Sequence, residues 1–124
     1  MKRRHPEQQL QKVVCQHLTV RGHPDLYWWH HPAGGYRSPI EAAIFKSIGT
    51  KPGLPDLFLL RDGKLYGLEL KPESDRLSPT QATAHVLLRQ AGATIQTAVG
   101  IDAAIRQLET WGLLKGRADV RGSA

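Results

Sequence analysis

Two carboxylates and one ammonium are spaced to meet in this chain: Asp56 directly after Pro55, then Glu69 and Lys71 with a single residue between them. Between the acids run two apolar stretches around Asp62-Gly63, a dipeptide suited to a two-residue hairpin turn. With Asp62 and Gly63 as the loop, Arg61 opposes Lys64, and counting back in register sets Asp56 against Glu69. Opposed residues hold their Cβ atoms about 5 Å apart on one face, and the period of two puts Lys71 on that face beside Glu69. Adjacent carboxylates repel, and charge in low dielectric is costly unless paired or bound to metal. A hard divalent cation relieves both costs. Mg²⁺ prefers oxygen ligands, keeps several waters and accepts one or two carboxylates, which Asp56 and Glu69 can supply. A salt bridge from Lys71 to one acid at a frayed strand end is the plainer alternative.

The wider string favours the metal. GLPDLFLL, GLELK and RLSPTQ together resemble the VRR-NUC (virus-type replication-repair nuclease) family of the PD-(D/E)xK nuclease superfamily, from about Glu7 to the helix near Trp111. The resemblance implies a restriction-endonuclease-like α/β sandwich and hydrolysis of phosphodiester bonds with Mg²⁺ or Mn²⁺. It implies Asp56, Glu69, Glu7 and the Leu70 carbonyl as metal ligands, with Lys71 orienting or deprotonating water or neutralising a phosphate oxygen. Gln81 would border the site. Stand-alone members look like junction resolvases, which implies a homodimer acting on branched DNA such as four-way (Holliday) junctions, with one site per subunit. Two alternatives stand beside this reading. A sequence-specific endonuclease of restriction type is disfavoured because no target-recognition domain is evident. A nucleic-acid-binding module without chemistry leaves the convergence of Asp56, Glu69 and Lys71 without a purpose.

The elements that must position these residues follow from pattern. Pro6 to about Arg21 reads as a helix, with proline in the first turn, an apolar stripe through Leu10, Val13, Val14, His17 and Leu18, and Gly22 as stop. Glu7 falls on the inward side of that stripe, an odd place for an acid. Its other reading is a first-turn carboxylate complementing the helix dipole. Leu26 to His31 reads as an aromatic strand with Tyr27, Trp29 and His31 on one face and Trp28 and His30 on the other. Ser38-Pro39-Ile40-Glu41 is a capping box opening a short helix to Ile48, which Gly49 ends. Asp56 to Leu60 and Leu65 to Lys71 are the hairpin strands. Ser78-Pro79-Thr80-Gln81 caps a third helix to Gly92, so Gln81 has a capping role available as well as a functional one. Ala93 to Val99 is a strand parallel to the one ending at Lys71, through a right-handed crossover. A last helix starts at Asp102 and buries Ile105, Leu108 and Trp111 or Leu113. The expectation is a mixed sheet of about four strands flanked by helices.

Composition bounds the rest. At 124 residues the chain is one domain, expected over 1–114, with a small polar tail over 115–124 expected to be disordered. Cys15 is the single cysteine and excludes an internal disulfide. No apolar run reaches the length of a bilayer, and Lys2-Arg3-Arg4 leads into polar residues, so a cytoplasmic protein with no membrane partner is expected. A net charge of +6 and a pI near 9.8 favour a polyanionic partner. His31, Arg37, Lys46, Lys51 and Arg76 are candidate contacts to nucleic-acid phosphates, with solvated surface as the equal alternative. His17, His23, His30 and His31 lack zinc-ligand spacing, and the last two point to opposite faces of a strand. Trp28, Trp111, Leu113 and Leu114 would serve either an interface between two copies or the core.

Overall fold

The computed structural model describes residues 6–32, 38–73 and 76–116. The order is α1 (Pro6–Arg21), β1 (Tyr27–His30), α2 (Pro39–Ser47), β2 (Leu57–Arg61), β3 (Lys64–Lys71), α3 (Pro79–Gln90), β4 (Thr94–Val99) and α4 (Gly100–Thr110). The four strands form one sheet in the order β1-β2-β3-β4, with β1, β2 and β3 antiparallel in turn and β4 parallel to β3. This is the expected mixed α/β architecture, and α3 is the crossover that makes the last pairing parallel.

The hairpin register is the one the turn dictates. Asp62 and Gly63 both take positive φ, at 52° and 74°, and Arg61 pairs with Lys64. A turn with both central residues in the left-handed region matches the twist of the strands it joins, and from it Leu57 falls opposite Leu68. The ladder starts one residue later than the sequence pattern suggests. Asp56 lies just outside β2 because its carboxylate turns to accept a backbone N–H from β3.

The sheet's two faces do different things. Leu57, Leu59, Leu68, Leu70 and Ala98 point to one side, where Leu10, Val14 and Leu18 of α1 and Ala104, Ile105 and Leu108 of α4 close over them. Truncating a leucine as enclosed as Leu108 typically costs roughly 2 to 5 kcal/mol. Leu113 and Leu114 also belong to this core, and Trp28 and Trp111 pack half-buried against it. These four residues therefore supply core and not a free interface, because the chain after α4 folds back onto the end of α1. Gly22 and Leu114 form an antiparallel bridge, the Lys115 N–H donates to the Arg21 carbonyl at 2.7 Å, and Arg21 Nε donates to the Lys115 carbonyl at 3.0 Å. From residue 117 onward the polar tail lies outside the described residues.

The opposite face carries Phe58, Gly67, Glu69 and Ile95 by alternation. A Cβ on Gly67 would lie 2.7 Å from Ile95 Cδ1 and 3.0 Å from Pro55 Cγ, so glycine is what lets Pro55 seat against the sheet. Gly53, with φ +75°, brings the approach to Asp56 against the first turn of α3, where a Cβ would strike the Thr80 carbonyl oxygen at 2.6 Å. Three helix boundaries differ from expectation. The last helix begins at Gly100, which places Asp102 in its first turn, α3 stops at Gln90 with Ala91 as its cap, and α2 stops at Ser47 with Ile48 as its cap. No described helix is long and apolar enough to cross a membrane.

Candidate active site

Asp56 is fixed from two directions. Its Oδ2 accepts the Leu70 N–H at 2.7 Å. Its backbone carbonyl accepts the His31 N–H at 2.8 Å, and His30 Nδ1 lies 3.0 Å from the same oxygen. Edge strand β1 thus clamps the acid at the end of the hairpin, a use of His30 and His31 that side-chain arguments alone did not suggest.

Glu69 is 3% exposed, a carboxyl enclosed by protein on all sides. The Asp56 carboxyl is its acidic neighbour, as the continued hairpin register implies. Burial first, and then the hydrogen bond and repulsion from Asp56, push the Glu69 carboxyl up to about 9. Lys71 pulls the other way, and Glu7 adds to the upward push. At neutral pH the Glu69 carboxyl retains its proton.

Its second partner is His85, fully buried on α3, with Nε2 at 3.3 Å from Glu69 Oε1. Burial holds the imidazole below its ordinary pKa, helped by the charges of Arg89 and Lys71 and opposed by Asp56. Both groups are therefore neutral near pH 7, and the contact is a neutral hydrogen bond. His85 Nδ1 has no hydrogen-bond partner among the described residues. Pattern reading passed over this histidine. The available signal was its position four residues, one helical turn, after Gln81 on α3.

Lys71 is half-buried, and its Nζ donates to Gln81 Oε1 at 3.2 Å. The same oxygen accepts the Ser78 N–H at 2.9 Å, while the Gln81 N–H donates to Ser78 Oγ at 3.1 Å. The capping box is complete, and the residue that completes it also holds the lysine.

The other sequence candidates lie further out. Glu7 is exposed and not on a buried stripe, because α1 meets the core only from Leu10 onward; its carboxylate is nevertheless felt at Glu69. Leu70 lies between the two site residues of β3, with its side chain in the core. The His31 ring stands edge-on to Phe58 at 6.2 Å and 80°. Lys46 on α2, Lys51 and Arg76 are exposed, and Arg37 lies outside the described residues. An apolar cleft of about 560 Å³ between Lys51–Leu54 and the outer side of α3, lined by Thr83, Leu87 and Ala91, does not include the carboxyl pair.

Among the described residues no three or more His, Cys, Asp and Glu side chains gather into a ligand set. The fit to a cation rests on the pair Asp56 and Glu69, which matches an ion that takes one or two carboxylates and completes its shell with water. The proton that the buried Glu69 carboxyl retains beside Asp56 occupies the place in the charge balance that such an ion would fill.

No family model matches the sequence, and no curated protein matches it. Solved structures do. A VRR_NUC domain protein superposes with a TM-score of 0.72 and 25% identity over 92% of this chain and 94% of its own. A second VRR_NUC domain gives a TM-score of 0.60 at 18% identity, over 87% of this chain and 99% of its own. The fold is that of a VRR-NUC nuclease domain.

Proposed function

We propose, from the VRR-NUC family membership that this likeness supports, that the protein is a metal-dependent endonuclease hydrolysing phosphodiester bonds in DNA. The observation that carries the reading is the Asp56–Glu69 carboxyl pair, half-buried at Asp56 and buried at Glu69, beside a lysine held by Gln81. Asp56 and Glu69 would hold Mg²⁺ or Mn²⁺, with Glu7 and the Leu70 carbonyl as further ligands. A divalent cation in that position lowers the pKa of water and offsets charge on the phosphoryl group.

The chain's own residues supply orientation and charge. The Leu70 N–H aims the Asp56 carboxylate, and His85 aims that of Glu69. When Glu69 gives up its proton, His85 Nε2–H can donate to the carboxylate and keep its geometry. The Gln81 amide holds the Lys71 ammonium at the edge of the pair. There Lys71 can neutralise a phosphate oxygen or orient the attacking water. Enclosure of Glu69 keeps bulk water from screening these charges.

The finer part of the reading is a homodimer acting on branched DNA, with four-way junctions as substrate and one site per subunit. A two-fold junction resolved by symmetric nicks needs two cuts, and a C2 pair supplies them. With Trp28, Trp111, Leu113 and Leu114 in the core, one exposed apolar surface open to pairing is α2. Its Ile40 and Ile44, with Ile48 at its cap, are exposed, and it lies close to no other helix or strand among the described residues. The test is a panel of labelled linear, single-stranded, flapped and four-way DNAs with Mg²⁺, Mn²⁺ or EDTA, combined with sedimentation. Cleavage in EDTA sinks the metal reading. Equal cleavage of linear duplex and junction, or a monomer on DNA, sinks the junction and dimer readings.

A further inference from the structure

Strand β1 carries aromatic rings on the same sheet face as the carboxyl pair, and they are not covered as core residues are. Tyr27 is 70% exposed and Trp29 is 38% exposed. Their ring centroids are 6.0 Å apart, and Trp29 stacks on Phe58 at 5.5 Å with 26° between the planes. The register fixes the face: Trp29 opposes Phe58, Phe58 opposes Gly67, and alternation from Phe58 and Gly67 leads to Asp56 and Glu69. His31, edge-on to Phe58, ends the row, and its backbone N–H is bonded to the Asp56 carbonyl. The row is thus an aromatic shelf that runs directly up to the acids.

The other parts of the sheet have cover. The core face lies under α1 and α4, and on the acid-bearing face α3 packs along β4. Among the described helices and strands, β1 is approached only by β2. Two large rings left open on an edge strand forgo burial that each would otherwise gain. Their faces are suited to another flat π system.

We propose that Tyr27 and Trp29, backed by Phe58, form a stacking shelf for unpaired nucleobases of the substrate, beside the phosphodiester to be cut. The inference rests on the nuclease reading for the position of that phosphodiester. Bases inside a duplex hide their faces against each other, so the shelf accepts only nucleotides that are unpaired, as at a flap, a single-stranded end or an opened branch point. Stacking tolerates any base, which suits a site with no recognition helix in a groove. The net charge of +6 favours the same class of partner.

Trp29→Ala, Tyr27→Ala and Trp29→Phe test the shelf, with Val20→Ala on the exposed side of α1 as control. The exposed side chains can be removed with little loss of core, which circular dichroism would verify. Anisotropy of a short labelled oligothymidine and of a blunt duplex is measured in EDTA, so that nothing is cut. Trp29→Ala is expected to weaken oligothymidine binding on the order of tenfold, Trp29→Phe to retain it, and duplex binding to change far less. Equal losses on both probes, or none, overturn the shelf. A Trp29→Ala protein that changes its sedimentation while keeping its oligothymidine affinity overturns it too, and assigns the face to a second copy of the chain. Cleavage in Mn²⁺ separates the two readings: selective oligothymidine binding without cleavage of any substrate upholds the shelf and sinks the nuclease, whereas cleavage with shelf-independent binding does the reverse.

Discussion

Lys71 and Gln81 are joined through an oxygen that has a second duty: Gln81 Oε1 accepts from Lys71 Nζ at 3.2 Å and from the Ser78 N–H that begins α3. The start of a helix and the position of a catalytic candidate are therefore one arrangement. Separating them experimentally is straightforward. Ser78→Ala removes the Ser78 half of the box and is expected to cost about 1 kcal/mol of stability while leaving the Lys71 contact and cleavage in place. Gln81→Ala keeps the backbone N–H on Ser78 Oγ but removes the side-chain half of the box together with the Lys71 contact, and should also lower the cleavage rate by about tenfold, the order of a lost charge-assisted hydrogen bond. Thermal melts with single-turnover kinetics decide, and equal rates in the two variants would reduce Gln81 to a cap.

Asp56→Ala, Glu69→Ala and Lys71→Ala are each expected to abolish cleavage while leaving DNA binding largely intact. The reason is their common face and the contacts each makes there. Gel assays with Mg²⁺ and Mn²⁺, beside a binding titration in EDTA, are the check. Full activity in Asp56→Ala would dismiss the carboxyl pair as the centre.

The metal-free protein is expected to lose stability as pH rises. Glu69 has its carboxyl raised from 4.5 to about 9 in the fold, so between those values the native state binds more protons than the unfolded chain, and stability declines across that window. His85 works in the other direction and lower down. Its pKa is depressed from 6.5, so its contribution is lost as pH falls below that value and is constant above it. The slope from about pH 7 to 9 is thus assigned to Glu69. Chemical denaturation in EDTA across this range should show it, and Glu69→Gln should flatten it. A slope that survives in Glu69→Gln would contradict the proton retained on Glu69.

Glu7→Gln should weaken Mn²⁺ binding more than it weakens the fold. The side chain is exposed at the first turn of α1, where a carboxylate contributes about 0.3 to 1 kcal/mol through the helix dipole, yet its charge reaches Glu69. Calorimetric titration measures the first effect and thermal melting the second. Unchanged Mn²⁺ affinity would leave Glu7 with the dipole role alone.

Much of this arrangement was legible in residue types because it is local. Asp62-Gly63 sets the turn, the turn sets the register, and the register brings Asp56 to Glu69. Pro6 and Gly22 bracket α1 as expected, and the crossover after Lys71 makes β4 parallel. What escaped depends on how elements dock. His85 looks like any mid-helix histidine until α3 lies across the sheet and turns it onto Glu69. Glu7 shares the phase of the α1 stripe but precedes the point where that stripe meets the core. Trp28, Trp111, Leu113 and Leu114 read as surplus only while the return of the chain onto Arg21 is unseen.

That return also orders events during synthesis. The β2–β3 hairpin is joined by contacts close in sequence and can pair soon after it emerges. Helix α1 emerges before it, yet its seat is completed by α4, by the Gly22–Leu114 bridge and by the two hydrogen bonds between Arg21 and Lys115. On the ribosome the earliest of these helices can lean on β3 but is fully seated only once the residues around Leu114 have cleared the exit tunnel. Nascent chains released short of that point, with α1 incompletely seated, should be held by chaperones or degraded.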